Sequence, residues 1–414
     1  MSKKERDSLV VLERVKRGEM KLAEAARVLR ISYRQCGRRM KRYKEEGAAG
    51  LVHGLRGGRG NRKVPGEVRK AITELYRGRY EGFGPVLFAE KLEAFHGIKV
   101  DHETVRRLLI KEGLWQAAVK RKERHQAWRE RRAHFGEMVQ MDGSHHRWFE
   151  ERGRKCCLMV MIDDATGIRM SLLAEEETTG AAMRLLWKWI ERYGVPRFLY
   201  TDGKSVFVPS DKDEEKARLE GRENLTQFGR SCRKLGIRII RARSPQAKGR
   251  VERSNGVYQD RLVKELRLEG VNSIEAANAV LGGSTFDREL NRRFSVEARE
   301  KADYHRPAAG HDLAGVFCIE EERTLSVNWT LSFENRLYQI AAASHNYSPV
   351  SRKVQIRRYL DSRLHMFYRG REVDFKEIVP PTKKPLRKDL PMGMKKPAPP
   401  ATDHSWRSHK TAEL

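Results

Sequence analysis

Three carboxylates occupy positions from which acidic side chains can hold a metal ion. Asp142 and Asp202 each end a short, largely apolar segment and precede a glycine, and Glu252 follows the apolar segment 237–240, early in a helical segment. The cations near Glu252 in the sequence are Arg241, Arg243, Lys248, Arg250 and Arg253. Taken singly, each carboxylate has a simpler interpretation. Asp-Gly is a common turn pair, and a charge run usually forms a solvated helix face.

The segments around these carboxylates predict an α/β sheet with elements in the order β-β-β-α-β-α-β-α. Two apolar runs flank the turn sequence 163–167, which is typical of a hairpin. Thr178 or Thr179 is placed to cap a helix that ends at Tyr193. A charged insert, residues 211–223, precedes the last three elements of the series, which are a helix, a strand and the helix that carries Glu252.

This element order predicts that the three carboxylates share one site. Strand ends and helix starts converge at one edge of an α/β sheet, so Asp142, Asp202 and Glu252 should meet there. Asp163 and Asp164 fit the hairpin turn better, and we assign them to it.

Residues 8–46 predict three helices in which the last two form a helix-turn-helix. Ser32 is placed to cap the third helix, residues 33–45. Its candidate DNA-reading side chains are Arg34, Gln35, Arg38, Arg39 and Arg42. Basic residues on a recognition helix favour DNA binding, and the alternative is a plain three-helix bundle.

The helical pattern repeats in residues 65–113. Asp101 is a plausible N-cap, and Arg106 and Arg107 lie on the exposed side of the helix that follows. Two tandem modules suit an extended, non-palindromic DNA site. The Gly/Arg-rich segment 47–61 between them fits either insertion into a minor groove or a flexible linker.

The composition favours an intracellular protein that binds a polyanion. The 414-residue chain has a net charge of +29 and a pI near 10.1, and nucleic acid is the commonest partner of such proteins. The five cysteines lack framework spacing, which indicates a reducing compartment and argues against structural zinc. No apolar run approaches the length that spans a bilayer, so we predict a cytoplasmic protein without membrane contact.

The last third of the chain predicts a small antiparallel β-barrel followed by a disordered tail. Short alternating segments separated by turn signals suggest the barrel, which is basic and fits either DNA binding or subunit contact. The predicted strands are residues 324–327, 331–333, 337–340, 353–356 and 364–368. Beyond Pro380 the chain is rich in Pro and Lys without an apolar pattern, which is typical of disorder.

Three motifs resemble the D, D and E blocks of the integrase-type DDE transposase superfamily, which has a ribonuclease-H-like core. They are Gln140-Met-Asp-Gly-Ser144, Tyr200-Thr-Asp-Gly-Lys204 and Ser244-Pro-Gln-Ala-Lys-Gly-Arg-Val-Glu-Arg-Ser-Asn255. With the tandem amino-terminal modules, the chain is similar to bacterial insertion-sequence transposases of the ISNCY type over residues 8–375. The charged insert lengthens the gap between the second Asp and the Glu relative to that family, and no His-His-Cys-Cys module precedes the core.

The resemblance implies a two-metal site for phosphodiester transfer. Asp142 would bridge two Mg²⁺ ions, with Mn²⁺ as a substitute, while Asp202 would hold one ion and Glu252 the other. The residues that flank Glu252 are candidates for contact with the DNA backbone near the metals, and the alternative is that they are loop and helix-face residues without substrate contact. They are Gln246, Lys248, Arg250 and Asn255.

The implied partner is double-stranded DNA, at the ends of a transposon and at its target. Joining two ends implies a homo-oligomer assembled on DNA, at the bacterial nucleoid in the cytoplasm. Two alternatives remain open at this stage: a metal-dependent nuclease without strand transfer, and a DNA-binding regulator with a degenerate catalytic domain.

The predicted architecture is therefore a multidomain α/β protein. Its predicted parts are a first helix-turn-helix domain with the Gly/Arg linker (1–60), a second helix-turn-helix domain (61–117), a basic linker (118–136), a ribonuclease-H-like catalytic core (137–303), a small β-barrel (304–378) and a disordered tail (379–414).

Overall fold

The computed structural model contains two compact units, Met1–Lys122 and Glu123–Leu414. It describes residues 1–53, 64–117, 130–221, 223–242, 249–284, 286–341, 349 and 352–379. Gln246, Lys248, most of the Gly/Arg-rich segment and of the basic linker, and nearly all of the predicted tail lie outside these residues.

The described part of the first unit is helical. Its helices are α1 (Lys3–Lys16), α2 (Leu22–Val28), α3 (Tyr33–Glu46), α4 (Gly66–Arg79), α5 (Pro85–His96) and α6 (His102–Lys111), with a short 3-10 segment (Gly47–Leu51) after α3. The predicted caps are confirmed. The Ser32 hydroxyl accepts a hydrogen bond from the Gln35 amide at 3.2 Å, and Asp101 Oδ1 accepts one from the Glu103 amide at 2.9 Å.

Each group of three helices in the first unit has its own apolar contacts. Leu12 of α1, Ala25 of α2 and Met40 of α3 are buried together. In the second group, the ring of Tyr76 on α4 lies edge-on to Phe88 on α5, with ring centroids 5.1 Å apart. The helical periodicity of both segments is therefore realised as two packed modules.

The second unit begins with an α/β region. Its elements are β1 (Met138–His146), β2 (Cys156–Asp163), β3 (Arg169–Ala174), α7 (Thr179–Tyr193), β4 (Phe198–Thr201), α8 (Asp211–Leu219), α9 (Gln227–Lys234), β5 (Arg238–Arg241), α10 (Gly249–Leu268), α11 (Ile274–Ala279), α12 (Phe286–Phe294) and α13 (Leu313–Val316). Thr178 is the N-cap of α7, with its hydroxyl 3.1 Å from the Ala181 amide.

The strands form a mixed sheet in the order β3-β2-β1-β4-β5. The first three strands pair antiparallel as the predicted hairpin and its neighbour, whereas β4 and β5 run parallel to β1. The predicted α/β core is confirmed. In this arrangement the carboxyl ends of β1 and β4 lie at the same edge of the sheet.

Helices cover both faces of this sheet, so β2 is buried along its whole length. Cys157, Met159 and Met161 face the core built with α7 and α9, and Leu158 and Val160 face the core built with α10, α11 and α12. A near-continuous apolar strand is what burial on both faces requires. Cys156 and Cys157 accordingly point to opposite faces, as predicted.

The charged insert contains a helix, α8, although its charge alternation predicts only a surface insertion. Ser210 caps α8, and Asp211 and Asp213 lie in its first turn while Lys216 and Arg218 lie near its end. Acidic residues at the start of a helix and basic residues at its end complement the helix dipole. The alternating charges of the insert therefore stabilise a helix.

Short strands follow the α/β region. They are β6 (Cys318–Thr324), β7 (Thr330–Phe333), β8 (Arg336–Ile340), β9 (Lys353–Tyr359), β10 (Leu364–Tyr368), β11 (Arg371–Val373) and β12 (Phe375–Ile378). The predicted strand 324–327 is wrong, because β6 ends at Thr324. Glu334 and Asn335 both have positive φ, as do Arg369 and Gly370, which is the conformation of tight hairpin turns.

These strands form two sheets around one apolar core. The orders are β11-β10-β9-β6 and β12-β8-β7. Phe333 and Ile340 from the smaller sheet share a core with Val354, Ile356 and Met366 from the larger one. Among the described residues no ladder joins the two sheets into a closed barrel. None of the described helices combines the length and apolarity needed to cross a membrane.

Candidate active site

Asp142 and Asp202 lie at neighbouring positions of the sheet. Strands β1 and β4 pair in parallel, with Val139 opposite Leu199 and Gln140 opposite Tyr200. The same register, continued for two positions, sets Asp142 beside Asp202. β4 ends at Thr201, so Asp202 follows its strand directly, whereas β1 continues to His146 and Asp142 pairs with Val160 of β2. The prediction that Asp142 ends its strand is therefore wrong, but its place in the strand next to β4 lets the two carboxylates act on the same ligand.

Lys204 provides a positive charge between these carboxylates and Glu177. Its Nζ lies 3.5 Å from Asp202 Oδ2 and 2.5 Å from Glu177 Oε2. Burial alone would lower the pKa of the Lys204 ammonium, but the hydrogen bond to Glu177 and the charges of Glu177, Asp202 and Asp142 raise that pKa above its ordinary value. The site therefore already stabilises a cation.

Helix α10 packs one of its faces along β1. Gln259 Nε2 donates to Ser144 Oγ at 3.1 Å, and one turn earlier Asn255 Nδ2 donates to Asp142 Oδ2 at 3.1 Å. Glu252 lies one further turn toward the start of the helix and is exposed. Residues at this spacing follow one face of a helix, so Glu252 shares the side of α10 that carries Asn255 and Gln259.

A buried polar network fixes the first turn of α10. Arg250 Nη1 lies 2.9 Å from Asp164 Oδ1, which also accepts a hydrogen bond from Gln140 Nε2 at 2.8 Å. Gln140 Oε1 in turn accepts from the Val251 amide at 3.3 Å. Asp164 is fully buried, so these partners satisfy a carboxylate that would otherwise be costly to bury. The network therefore holds the start of α10, and with it Glu252, against β1.

Asp163 has a separate role in the hairpin turn. Its Oδ1 accepts hydrogen bonds from the amide and hydroxyl of Thr166, and its Oδ2 accepts one from the Gly136 amide. Burial raises the pKa of Asp163 to about 6, against the opposing effect of these hydrogen bonds. The turn interpretation of Asp163 agrees with these contacts, whereas Asp164 also supports the candidate site.

Comparison with known proteins identifies the family. Residues 9–60 match a helix-turn-helix domain family, and residues 35–109 match a homeodomain-like domain family. The chain is similar to the protein of Sinorhizobium fredii that is named transposase y4bF. The two are 38% identical over 379 residues, which cover 91% of this chain and 81% of that protein. The chain belongs to this transposase family.

Two further relatives show how far the similarity extends. The transposase for insertion sequence IS1202 of Streptococcus pneumoniae is 28% identical over 366 residues, which cover 80% of this chain and 76% of that protein. Among solved structures, the HTLV-2 integrase catalytic core domain in complex with magnesium is 21% identical, with a TM-score of 0.27. The alignment covers 36% of this chain and 83% of the HTLV-2 chain. The sequence similarity to the two transposases confirms the resemblance to insertion-sequence transposases.

The predicted DNA-reading side chains of the helix-turn-helix modules differ in their exposure to solvent. On α3, Arg34, Gln35, Arg38 and Arg42 are exposed, whereas Arg39 is half-buried and donates from Nη1 to Ser8 Oγ of α1 at 3.0 Å. The exposed side chains fit a recognition surface. Arg39 instead connects two helices of the module.

On α6 of the transposase, Glu103 pairs with both predicted DNA-reading arginines. Arg106 Nε lies 2.6 Å from Glu103 Oε2, and Arg107 Nε lies 3.0 Å from Glu103 Oε1. Hydrogen bonds from Arg106 and Arg107 lower the pKa of Glu103 to about 2. This carboxylate reduces the net charge that α6 presents, so α3 is the more basic of the two surfaces.

The prediction that Arg250 contacts DNA is revised by its surroundings. The Arg250 side chain is 18% exposed and its guanidinium pairs with Asp164, so we assign it a positioning role. Asn255, also predicted to contact DNA, donates to Asp142. Sequence reasoning did not single out Lys204 and Glu177 as functional. The Lys that follows Asp202-Gly203 was the one available signal.

Replacing Arg250 by methionine is expected to destabilise the transposase by about 2–4 kcal/mol, because it leaves the Asp164 carboxylate buried with fewer partners. Urea unfolding of the full chain measures this. Arg253→Met is the matched control: Arg253 is exposed on the same helix, and its replacement should change stability by less than about 0.5 kcal/mol.

The same pair of variants separates positioning from DNA binding. If Arg250 bound a DNA phosphate, Arg250→Met would reduce the slope of log affinity against log salt by about 0.9, without a comparable decrease in stability. Equal unfolding free energies for the two variants would contradict the positioning role.

Proposed function

We propose that the protein is a DDE-type transposase. It binds the terminal inverted repeats of its element, cleaves at the element ends and joins the 3′-hydroxyls to target DNA. The strongest support is the register that sets Asp142 beside Asp202, with the face of α10 that carries Glu252 packed on Asp142 through Asn255. Three carboxylates on three separate elements are a donor set for hard cations.

The residues present fit divalent metal ions. The candidate ligands offer carboxylate oxygens, the donors that Mg²⁺ and Mn²⁺ prefer, and the Lys204 ammonium beside Asp202 shows that positive charge is accommodated there. In the proposed arrangement Asp142 would be a ligand of both of two Mg²⁺ ions, Asp202 would be a ligand of one and Glu252 of the other. Such ions would polarise the scissile phosphate and favour ionisation of the attacking water or 3′-hydroxyl.

The remaining residues of the site orient these ligands. Asn255 donates to one oxygen of Asp142 and thereby fixes the rotation of its carboxylate. Lys204 balances the charge of Asp202 through the ion pair it shares with Glu177. Arg250 and Asp164 hold the first turn of α10 in place. Gln246 and Lys248 precede this turn, and we retain them as candidates for backbone contact with DNA.

The proposal extends to the whole chain. The exposed side chains of α3 bind the inverted repeats together with the second module, and the catalytic core acts at the cleavage site. We retain the six-part division of the chain as a proposal. Because two ends must be joined to one target, the active species is a homo-oligomer assembled on double-stranded DNA.

A joining assay tests the proposed function. The full chain is incubated with terminal-repeat oligonucleotides, supercoiled target DNA and Mg²⁺, and the products are resolved by length. Covalent joining of the 3′ ends to target DNA is expected. Hydrolysis at the ends without joined product, for the same oligonucleotides, would identify a nuclease instead, and end binding without cleavage would identify a regulator.

A further inference from the structure

A second group of potential metal ligands lies beside the proposed active site. His145, Cys157 and Glu177 each offer one ligand atom, and these atoms lie within 4.8 Å of one another. His145 on β1 and Cys157 on β2 are direct cross-strand partners, so their side chains leave the sheet on the same face. Glu177 reaches them from the connection between β3 and α7.

Gly143 makes room for this group. A Cβ added at Gly143 would lie 2.4 Å from Glu177 Oε2 and 3.1 Å from Cys157 Sγ. Gly143 is two residues before His145 on β1, and therefore on the same face of the strand. The absence of a side chain at this position lets the Glu177 carboxylate enter the space between the strand and the cysteine.

One oxygen of the buried Glu177 carboxylate has no hydrogen-bond partner among the described residues. The Glu177 side chain is only 5% exposed, and its Oε2 binds Lys204. Its Oε1 is buried and has no hydrogen-bond partner within the part of the chain that the structure describes. A buried carboxylate oxygen without a partner is costly, and a bound cation would remove that cost.

We propose that His145, Cys157 and Glu177 bind a borderline-soft divalent cation, for which Zn²⁺ is the representative. An imidazole, a thiolate and one carboxylate are a ligand set that Zn²⁺ accepts with a fourth position open. Bonds of about 2.0–2.3 Å in a tetrahedral site set the ligand atoms roughly 3.3–3.8 Å apart. The observed separations therefore need to shorten by no more than about 1.5 Å.

The surroundings supply access and support for the ion. The His145 side chain is 37% exposed, and its Nε2 lies 3.3 Å from Glu176 Oε2, a carboxylate that can orient the ring. Burial, together with the charge of Glu177, raises the pKa of Cys157 to about 12, so the thiol releases its proton only as the metal binds.

This site differs in chemistry from the proposed Mg²⁺ site, and the inference goes beyond the transfer reaction. A thiolate and an imidazole select Zn²⁺ over Mg²⁺, which prefers oxygen ligands alone. The two sites share one connection, because Glu177 is also the partner of Lys204. Zinc bound to Glu177 would weaken the ion pair between Glu177 and Lys204 and would alter the charge beside Asp202.

Metal titration of the full chain tests the site. Zn²⁺ is titrated into the protein in saturating Mg²⁺, and its binding is followed by calorimetry. Co²⁺ is titrated in parallel, and absorption spectra are recorded to detect a thiolate-to-cobalt charge-transfer band. We expect one Zn²⁺ site per chain with release of a proton, and the cobalt band in the near ultraviolet. Cys157→Ser should abolish the band and weaken Zn²⁺ binding by at least about 100-fold, more than the removal of an outer-shell partner.

Two matched variants make the result decisive. His145→Ala removes a half-exposed ligand without opening the core and should weaken Zn²⁺ binding as strongly as Cys157→Ser. Cys156→Ser changes the neighbouring buried cysteine on the opposite face of β2 and should leave binding unchanged. The proposal would be overturned if the unaltered chain bound no Zn²⁺ or if His145→Ala kept the full Zn²⁺ affinity. It would also be overturned if Asp142→Asn, and not the variants of the proposed zinc ligands, abolished Zn²⁺ binding.

Discussion

Replacing Asp142 by asparagine is expected to lower metal-dependent cleavage and joining by at least about 1000-fold, or about 4 kcal/mol of transition-state stabilisation. The substitution keeps the size of the side chain and removes the charge that the two metal ions would share. Because Asp142 belongs to the core and not to the helix-turn-helix modules, affinity for the transposon ends should stay within about twofold. Single-turnover assays on pre-bound ends measure the chemical step directly.

Asp202→Asn should reproduce this decrease, and Asp260→Asn provides the control. Asp260 is an exposed carboxylate on α10, paired with Lys264 one turn away, and such a pair contributes little. Joining by Asp260→Asn should therefore equal that of the unaltered chain. Normal joining by Asp142→Asn, with folding intact, would remove this residue from the proposed active site.

Deleting residues 1–117 is expected to abolish selection of the terminal repeats. Specific protein–DNA complexes are typically about 10³- to 10⁷-fold tighter than non-specific ones, and the deletion removes both helix-turn-helix modules. The remaining chain should keep weak binding that falls steeply with salt, as phosphate contacts require. Competition between repeat DNA and scrambled DNA of equal length measures the selectivity.

A charge-matched pair of variants localises this effect within the first module. Arg34→Ala with Arg38→Ala removes two exposed cations from α3, whereas Arg14→Ala with Arg17→Ala removes two from the α1 end of the module. Both variants remove the same charge, so their non-specific binding to DNA should decrease equally. Only the α3 variant should also lose selectivity for the repeats. Retained selection of the repeats after the deletion, or equal decreases in the two charge variants, would contradict the assignment of α3 as a recognition helix.

The local parts of the fold could be predicted because their signals are local. Capping by Ser32 and Asp101 depends on residues two or three positions away, and the hairpin around residues 163–167 joins adjacent strands. The strand-end position of Asp202 could also be predicted, because an apolar run followed by Asp-Gly marks the end of a buried strand. The same pattern was misleading at Asp142, because β1 continues through Gly143 to His146 by pairing with β2.

The partners of the candidate site could not be predicted, because they are distant in sequence. Arg250 and Asp164 are 86 residues apart, and Lys204 and Glu177 are 27 apart. Nothing in the local pattern distinguishes a buried ion pair from a DNA contact or a turn. Only the packing of α10 on β1 reveals that Arg250 faces inward.

Two other differences have physical causes of the same kind. The charge alternation of the insert is compatible with a loop, and its arrangement relative to Ser210 is what favours a helix. Alternation of apolar and polar residues predicts strands in the carboxyl-terminal region, but it does not determine which strands pair. The described strands accordingly form two sheets around one core instead of the predicted closed barrel.

Glu252 carries the most direct test of the proposed three-carboxylate site, because it is joined to the two aspartates only through the packing of α10. The measurement is single-turnover joining of pre-bound repeat ends by Glu252→Gln in Mg²⁺, with Asp260→Asn on the same helix as control. We expect Glu252→Gln to bind ends normally and to join them at least about 1000-fold more slowly. Joining by Glu252→Gln at the rate of Asp260→Asn would contradict the proposal that Asp142, Asp202 and Glu252 act together.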